Sequence, residues 1–467
     1  MSNVIDLKKD SIDKAFFHYL LPAISGLVVK SIFIIVDSIF IGRGVGSTGL
    51  AALAITLPFF TLFTAIAMMV GIGGAAKMSI QFGKGDFKSG QSLFFQSMAF
   101  ITLVNLTLVT LTLVFLEDLL IMMGASGELL SMSVDYMSII LLFFYIFGPA
   151  WVLSCFIRND TNPKLAMYAM MFGAVLNIVL DYLFIFEFHW GIKGGALATG
   201  ISQVVIFGVL LLHFLHKKGK LKLKWQTLRF DAVPSILRSG LPIFFTESAT
   251  AVTILIFNFV LLATYSDSHV AAFSIIANLG VVVIFLMVGI GQACQPIISF
   301  NYGAGLYKRV QQTFVLGLKY SIGAGLLTTG IVFVWSTEIA TSFIEHDSSL
   351  IELTSDAMLI YFIAPIFIGI NMMTATLFQS IESDKQATAI SLSRGIIFVV
   401  IGIFTLPILF PVKGIWASIL FAEIITFFLS TLLLFKFNST LASKPNSTSM
   451  TQGFNCSNTT TNKLHEV

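Results

Sequence analysis

The 467-residue chain is 56% hydrophobic and only 11% charged, and its formal net charge is +3. A soluble domain carries about 25% charged residues, so this composition excludes an ordinary soluble protein and indicates a chain embedded in lipid. The small net charge gives no support to a nucleic-acid partner, and we expect none. The three cysteines, Cys155, Cys294 and Cys456, lie far apart and show neither a disulfide framework nor metal-ligand spacing.

Twelve apolar runs follow one another along the chain, separated by charged or Gly/Pro-rich segments. Each is long enough to cross about 30 Å of hydrocarbon as a helix, and continuous apolar runs of this length do not alternate as barrel strands must. We therefore predict an all-α membrane protein with twelve transmembrane helices. The predicted helices lie at 14–41, 50–76, 91–116, 130–156, 164–186, 194–215, 237–264, 270–296, 312–335, 353–379, 387–410 and 414–437.

Lysine and arginine are concentrated in alternate loops, most of all in the central sequence KKGKLKLKWQTLRF. Positively charged loops stay on the cytoplasmic side of a membrane. The pattern thus predicts a multi-pass protein of the cell inner (plasma) membrane with both termini in the cytoplasm. A basic loop is also able to bind anionic headgroups, so membrane lipids are expected partners. We expect no removable signal peptide in the first residues, MSNVIDLKKDSIDKAFF, because they mix acidic and basic side chains and lack a small-residue cleavage site.

The two halves of the chain resemble each other at an offset near 220 residues. The segment Ser79–Lys88 matches Ser299–Lys308, for example, and each half has six predicted helices. Because both halves begin on the same side, we expect parallel repeats related by a pseudo-two-fold axis along the membrane normal, with the substrate site between two lobes. The predicted division is an amino-terminal lobe (1–216), a basic cytoplasmic linker (217–236), a carboxy-terminal lobe (237–438) and a disordered cytoplasmic tail (439–467).

Two aspartates fall inside predicted helices, where a carboxylate costs about 2.5–3.5 kcal/mol on insertion scales. Asp37 lies in the first helix and Asp181 in the fifth, and Asn177 precedes Asp181 by four residues, one turn away on the same face. With a hydroxyl from Thr199 in the sixth helix, these oxygens suit either a proton or a Na⁺ ion. The alternative is that one aspartate lies at the membrane interface or caps a helix. This alternative applies more readily to Asp181, because the fifth predicted helix ends soon after it.

Two other ionisable residues in the predicted helices, Lys30 and Glu247, each have two possible interpretations. Lys30 precedes Asp37 by two helical turns, so its ammonium is either an internal cation that pairs with an acid or a group that extends to the interface. Glu247, five residues after Pro242, is either a second carboxylate for a cation or a drug, or a residue at the membrane boundary. We expect Arg394 near a helix end.

Enzymatic function is disfavoured, because the sequence contains neither a phosphate-binding loop nor a catalytic His/Cys/Ser arrangement. Transport driven by an ion gradient remains, with no cofactor other than the coupling ion, H⁺ or Na⁺. Two other classes stay open. A lipid or lipid-linked-sugar flippase would need arginines inside the lobes, of which few are seen. A channel or receptor would not lose gradient-driven accumulation on replacement of the first-helix aspartate.

Several stretches together resemble the multidrug and toxic compound extrusion (MATE) family, in its prokaryotic DNA-damage-inducible and staphylococcal-type branch. They include LPAISGLVVKSIFIIVDSIFIG, IGGAAKMSIQFGKGD, FIRNDTNPKLAM, LNIVLDYLFIF, GGALATGISQ, GLPIFFTESATAVTILIFN and IGQACQPIISFNYGAG, within about 11–437. The resemblance implies two six-helix lobes and export of cationic, amphiphilic drugs against inward H⁺ or Na⁺. We also expect a monomer.

The resemblance also assigns expected roles to particular residues. It implies a cation-linked cluster, which could hold Na⁺, at Asp37, Asn177, Asp181 and Thr199. It further implies that Tyr136 and Met170 line a nearby cavity. We add Lys30 and Glu247 as substrate-binding candidates. Both depart from the family pattern: related proteins often have a neutral polar residue in place of Lys30, and Glu247 lies about one turn nearer its proline than the acid of the Na⁺-coupled branch.

Overall fold

The fold is known from a computed structural model that describes residues 5–215, 219–223, 229–344, 347–411 and 413–442, with the side chains of Lys30 and of 438–442 left outside the description. Within these residues the chain is helical and contains no strand. The all-α fold class is therefore confirmed. The predicted disordered tail (439–467) starts too early, because the last helix continues to Ala442; its remainder, beyond residue 442, lies outside the described residues.

Twelve helices in the described part of the chain are long and apolar enough to cross a membrane, which confirms the predicted number. We call them spans 1 to 12. Their bounds are Ile12–Gly44, Ser47–Lys84, Phe87–Val114, Gly127–Asn159, Pro163–Glu187, Gly191–Leu215, Val233–Thr264, Asp267–Gly303, Tyr307–Phe343, Ser348–Ser380, Asp384–Leu409 and Gly414–Phe437. Most are longer than predicted, because polar residues at the ends continue the helices beyond the apolar core.

Local backbone chemistry sets the ends of the spans. Span 2 ends at Lys84, and the next residue, Gly85, has a φ of +84°. The side chain of Asp86 then accepts a hydrogen bond from the backbone N–H of Ser89 at the start of span 3. Glycine suits this left-handed conformation because it has no Cβ. Gly305, which follows span 8 at the equivalent repeat position, has a φ of +72°. The repeat therefore extends to the conformation of these turns.

Four spans are irregular inside. Span 9 has a non-helical backbone at Trp335, with φ −123° and ψ 25°. Span 10 is interrupted at Phe362, whose carbonyl accepts a hydrogen bond from Thr329 Oγ1 at 2.6 Å. Span 5 changes to π-helical geometry at Tyr182–Glu187, and span 11 does so at Ser393–Ile397. A π-helical turn inserts an extra residue into the helix and is frequent at functional sites. Both π segments lie beside buried charged residues.

By the density of its internal contacts the chain divides into two compact units. The first consists mainly of His18–Ser79 and Asp86–Ala251, and the second of Asp6–Phe17, Ile80–Gly85 and the chain from Val252 onward. The lobe boundaries predicted from the repeat stay a prediction. Part of the predicted linker is attached to the first unit, because the backbone N–H groups of Lys220 and Leu221 donate hydrogen bonds to the Asp160 carboxylate.

Candidate functional site

The carboxyl groups of Asp37 in span 1 and Asp181 in span 5 meet inside the first unit. Asp37 is 7% exposed and Asp181 is fully buried, and the two groups lie within hydrogen-bonding reach of each other. Each has a buried oxygen, Oδ1, that receives no hydrogen bond from a donor group. Two carboxylates in such contact cannot both be ionised. A proton held between them supplies the missing donor.

Asn177 connects this pair to Thr199 of span 6. With the amide oriented to satisfy its neighbours, Nδ2 donates to Asp181 Oδ2 at 2.8 Å and Oδ1 accepts from the Thr199 backbone N–H at 3.2 Å. In the opposite orientation, Nδ2 donates instead to Thr199 Oγ1 at 3.3 Å. The four residues that the sequence grouped therefore lie together, and the amide has two hydrogen-bonding arrangements available to it.

The positions of these side chains follow from local sequence. Asn177 and Asp181 are four residues apart and share one face of span 5, and the π-helical segment begins at Tyr182, directly after Asp181. In span 6, Gly200 has the ring of Phe143 in the space that a Cβ would fill. Small residues let transmembrane helices approach closely, so Gly200 lets span 6 pack against span 4. Gly173 of span 5 has the side chain of Ile206 of span 6 in its Cβ space, and this second close approach brings Thr199 next to span 5.

A cavity of about 500 Å³ in the first unit adjoins the pair. Its wall includes Asp37, Asn177 and Thr199 but not Asp181. Tyr136 and Met170 also line the cavity, which agrees with the expectation from the resemblance.

Three comparisons, with a family model, with relatives in sequence and with solved structures, show which known proteins the chain is similar to. The MatE family model matches residues 22–183 and again residues 242–405, and the second match begins 220 residues after the first. The chain belongs to the MatE family. Its members are multidrug efflux transporters rather than enzymes, so the chain is a multi-pass membrane transport protein. The double match also confirms the internal repeat.

Relatives of this MatE protein cover nearly its whole length. Multidrug export protein MepA of Staphylococcus haemolyticus is 25% identical over 450 residues, which are 93% of this chain and 96% of that protein. The MATE multidrug transporter DinF-BH, solved in complex with a ligand, is 30% identical, with a TM-score of 0.86, and the match covers 95% of this chain and 100% of that one. An outward-facing MATE transporter of the MOP superfamily gives a TM-score of 0.88 at 21% identity, with 95% and 100% covered.

Sequence reasoning missed an aromatic wall of the cavity in this MatE chain. Phe144 and Phe147 stack at 4.8 Å between ring centroids, Phe60 meets Phe144 edge-on at 4.9 Å, and Trp151 follows Phe147 at 6.3 Å. Tyr136 lies 6.5 Å from Phe60. The wall was recognisable only as an apolar stripe with helical spacing in span 4, and such a stripe is equally typical of helix packing.

The two further substrate-binding candidates, Glu247 and Lys30, differ in what the structure shows of them. Glu247 of span 7 lines the cavity, whereas the side chain of Lys30 lies outside the described residues.

The expectation that Arg394 lies near a helix end was wrong: it is ten residues into span 11, buried, and paired with Glu423. Among the described residues, no group of three or more His, Cys, Asp or Glu side chains could hold a metal ion.

Proposed function

We propose that this MatE protein exports cationic, amphiphilic organic compounds in exchange for H⁺ moving inward. The observation that carries the proposal is a pair of buried carboxyl groups within hydrogen-bonding reach of each other, Asp37 and Asp181, beside an aromatic-lined cavity. Aromatic faces attract cations and planar rings, and the carboxyl groups of Asp37 and Glu247 in the cavity wall add negative charge. The relatives named as multidrug export proteins and multidrug transporters support an organic substrate here.

The contact between the carboxyl groups supports H⁺ rather than Na⁺ as the coupling ion. Carboxyl groups in hydrogen-bonding contact share a proton without rearrangement, whereas Na⁺ between them would require several oxygen ligands arranged around the ion. Asn177 Oδ1 is already occupied by a backbone N–H in the satisfied orientation. Na⁺ binding at Asp37, Asn177, Asp181 and Thr199 would therefore compete with the hydrogen bonds that these side chains already make.

The coupling works through the link between spans 1 and 5. When the pair holds a proton, Asp37 and Asp181 are joined and the cavity wall carries less negative charge, so an organic cation binds less tightly. When the proton leaves, the carboxylates repel each other, span 1 loses its tie to span 5, and the cation is bound more tightly. Exchange requires that each ligand have different affinities for the two states.

The remaining features of the proposal follow from the sequence. Alternate basic loops support cytoplasmic termini in the inner membrane, and membrane lipids surround the exposed apolar spans. We propose a monomer that needs no cofactor and binds no nucleic acid.

The decisive experiment uses purified protein in liposomes with an imposed pH gradient or an imposed Na⁺ gradient. Wild type should drive uptake of ethidium, a planar organic cation, under the pH gradient only. Asp37→Asn should reduce that transport by at least about 100-fold, as expected for loss of an essential proton site. Asp135→Asn is the matched control, because Asp135 forms an exposed ion pair with Lys193 at 3.1 Å. Full coupled transport by Asp37→Asn would remove the pair from the mechanism.

The same liposomes test the flippase alternative. A fluorescent lipid that changes leaflet under the gradient, with no movement of the organic cation, would contradict drug export. Transport under the Na⁺ gradient alone would contradict H⁺ coupling while leaving export intact.

A further inference from the structure

A second group of buried charges lies in the second unit, far along the chain from the carboxyl pair. Arg394 of span 11 and Glu423 of span 12 are 6% and 3% exposed, and Arg394 Nη2 donates to Glu423 Oε1 at 2.7 Å. Arg394 Nε lies 3.4 Å from Glu423 Oε2. The guanidinium thus approaches both oxygens of the carboxylate, the geometry in which arginine pairs most strongly with a carboxylate.

Span 10 completes the surroundings of this carboxylate. Asn371 Nδ2 donates to Glu423 Oε2 at 2.8 Å and to the Glu423 carbonyl at 2.9 Å, and Ser430 Oγ donates to Asn371 Oδ1 at 2.9 Å. Among the described residues, Tyr361 is a further titratable side chain close enough to interact with both charges, and a phenol carries no charge at physiological pH. Every oxygen of Glu423 therefore has a donor, in contrast to Asp37 and Asp181.

The Arg394–Glu423 pair occupies the repeat equivalent of the first unit's cavity. Arg394 lies ten residues after the first residue of span 11, as Gly173 does in span 5. Counted from the Lys-Gly pairs that open spans 6 and 12, Glu423 corresponds to Gln203. Gly173 and Gln203 both line the cavity of the first unit. Where the first unit has open space, the second has a guanidinium held by a carboxylate.

The backbone marks the same place. The π-helical segment of span 11, Ser393–Ile397, contains Arg394, and π-helical turns are frequent at functional sites. Packing alone does not account for the pair, because the cost of removing two charges from water can exceed their attraction, and apolar side chains of the same size often replace such pairs without loss. We therefore look for the reason for this buried pair in the charges of Arg394 and Glu423.

We propose that Glu423, Asn371 and Ser430 form a cation site in the second unit and that Arg394 is its permanent, tethered occupant. Arginine does not lose its proton in proteins, so the occupant cannot leave by deprotonation as a bound proton does. The second unit consequently exchanges no cation with the medium, and the first unit alone carries the coupling ion. That last consequence rests on the proposed antiport, whereas the assignment of the site does not.

The test is made on purified, full-length protein, with three variants and no transport assay. Arg394→Gln removes the tethered cation and leaves Glu423 to accept Na⁺, Li⁺ or a proton from solution. Its Tm should rise by on the order of 5 °C on adding saturating Na⁺ or on lowering the pH from about 8 to about 5, as for any ligand that binds only the folded state. Wild type and Arg394→Lys, which keeps the charge, should show no such response at this site.

The double variant Arg394→Gln/Glu423→Gln provides the matched control, because it removes the carboxylate that would bind the external cation. Its Tm should again be insensitive to Na⁺ and to pH relative to wild type. An Arg394→Gln protein that can be recovered only in Na⁺ or at low pH would also support the proposal. One that responds no more than wild type, or that no cation restores, would overturn it and leave Arg394 a structural residue.

A transport measurement then tests separately whether the first unit alone carries the coupling ion. In liposomes, Arg394→Gln should move more cations per organic molecule than wild type, whereas Arg394→Lys should keep the wild-type ratio. If wild type moves no organic cation at all, the proposed function fails while the Tm measurements still decide the assignment of the cation site.

Discussion

His213 Nε2 lies 2.9 Å from Asp160 Oδ2, and both side chains are buried at one end of the first unit. Asp160 follows span 4 and His213 is near the end of span 6. The Asp160 carboxylate also accepts the backbone N–H groups of Lys220 and Leu221, each at 2.9 Å. One aspartate thus fixes the segment that follows span 6 to the loop between spans 4 and 5.

We expect Asp160→Ala to release this segment and to destabilise the protein. Three donors would lose their acceptor, and each buried donor left without a partner costs about 1–3 kcal/mol. Thermal unfolding in detergent should show the loss as a lower Tm, and limited proteolysis should show faster cleavage near residue 220. Asp135→Asn, at the exposed pair with Lys193, should change the Tm little, because exposed pairs contribute about 0–1 kcal/mol. Equal effects of the two variants would contradict the anchoring role.

Trp151 should contribute to substrate binding through its ring face. It lines the cavity and continues the aromatic wall beyond Phe147. Trp151→Ala should weaken binding of ethidium by about 5–30-fold, equivalent to about 1–2 kcal/mol of cation–π attraction, and Trp151→Phe should recover most of it. Equilibrium binding to purified protein measures the effect. Trp335, which is half-exposed in span 9 and away from this cavity, provides the control substitution to Ala.

Gly200 should not tolerate a side chain. A Cβ at this position would overlap the ring of Phe143, whereas a Cβ at Gly208, in the same span, would meet no atom within 4 Å. We expect Gly200→Ala to lower stability by about 1–3 kcal/mol, as overpacking does, and to reduce transport because span 6 carries Thr199. Gly208→Ala should be neutral or stabilising, since alanine favours the helix by about 1 kcal/mol. A Tm comparison of the two variants decides the matter.

The cap at Asp86 should make stability sensitive to acid. Hydrogen bonds from the side chain and the backbone N–H of Ser89 hold the pKa of Asp86 below its usual value. A carboxyl with a depressed pKa stabilises the fold above its unfolded pKa of about 3.9 and loses that effect as the pH falls through its folded pKa. The Tm of wild type should therefore fall more steeply below about pH 4 than the Tm of Asp86→Asn.

Ser89→Ala supplies the control for this cap. It removes the side-chain donor but keeps the backbone one, so the acid dependence should be intermediate between those of wild type and Asp86→Asn. Identical acid profiles for all three proteins would show that the cap does not contribute.

Much of the fold and part of the site could be predicted from the sequence. Long apolar runs have few alternatives in a lipid solvent, because every backbone polar group must be satisfied within its own helix. The twelve spans and the repeat were therefore readable directly. Asp37, Asn177 and Asp181 stood out for the same reason, since polar side chains are expensive in apolar segments. Their residue types and spacing indicated a shared cation chemistry.

Only the tertiary structure decided which apolar residues form the cavity and which buried charges meet. Phe144 and Trp151 belong to a stripe that could equally pack against a neighbouring helix, and Arg394 carried no signal that it would meet Glu423, 29 residues further along the chain. The physical reason is that hydropathy reports how readily a residue enters lipid, one residue at a time. Pairing, in contrast, depends on which helix faces come together, and that is determined by the close packing of small and large residues across several spans.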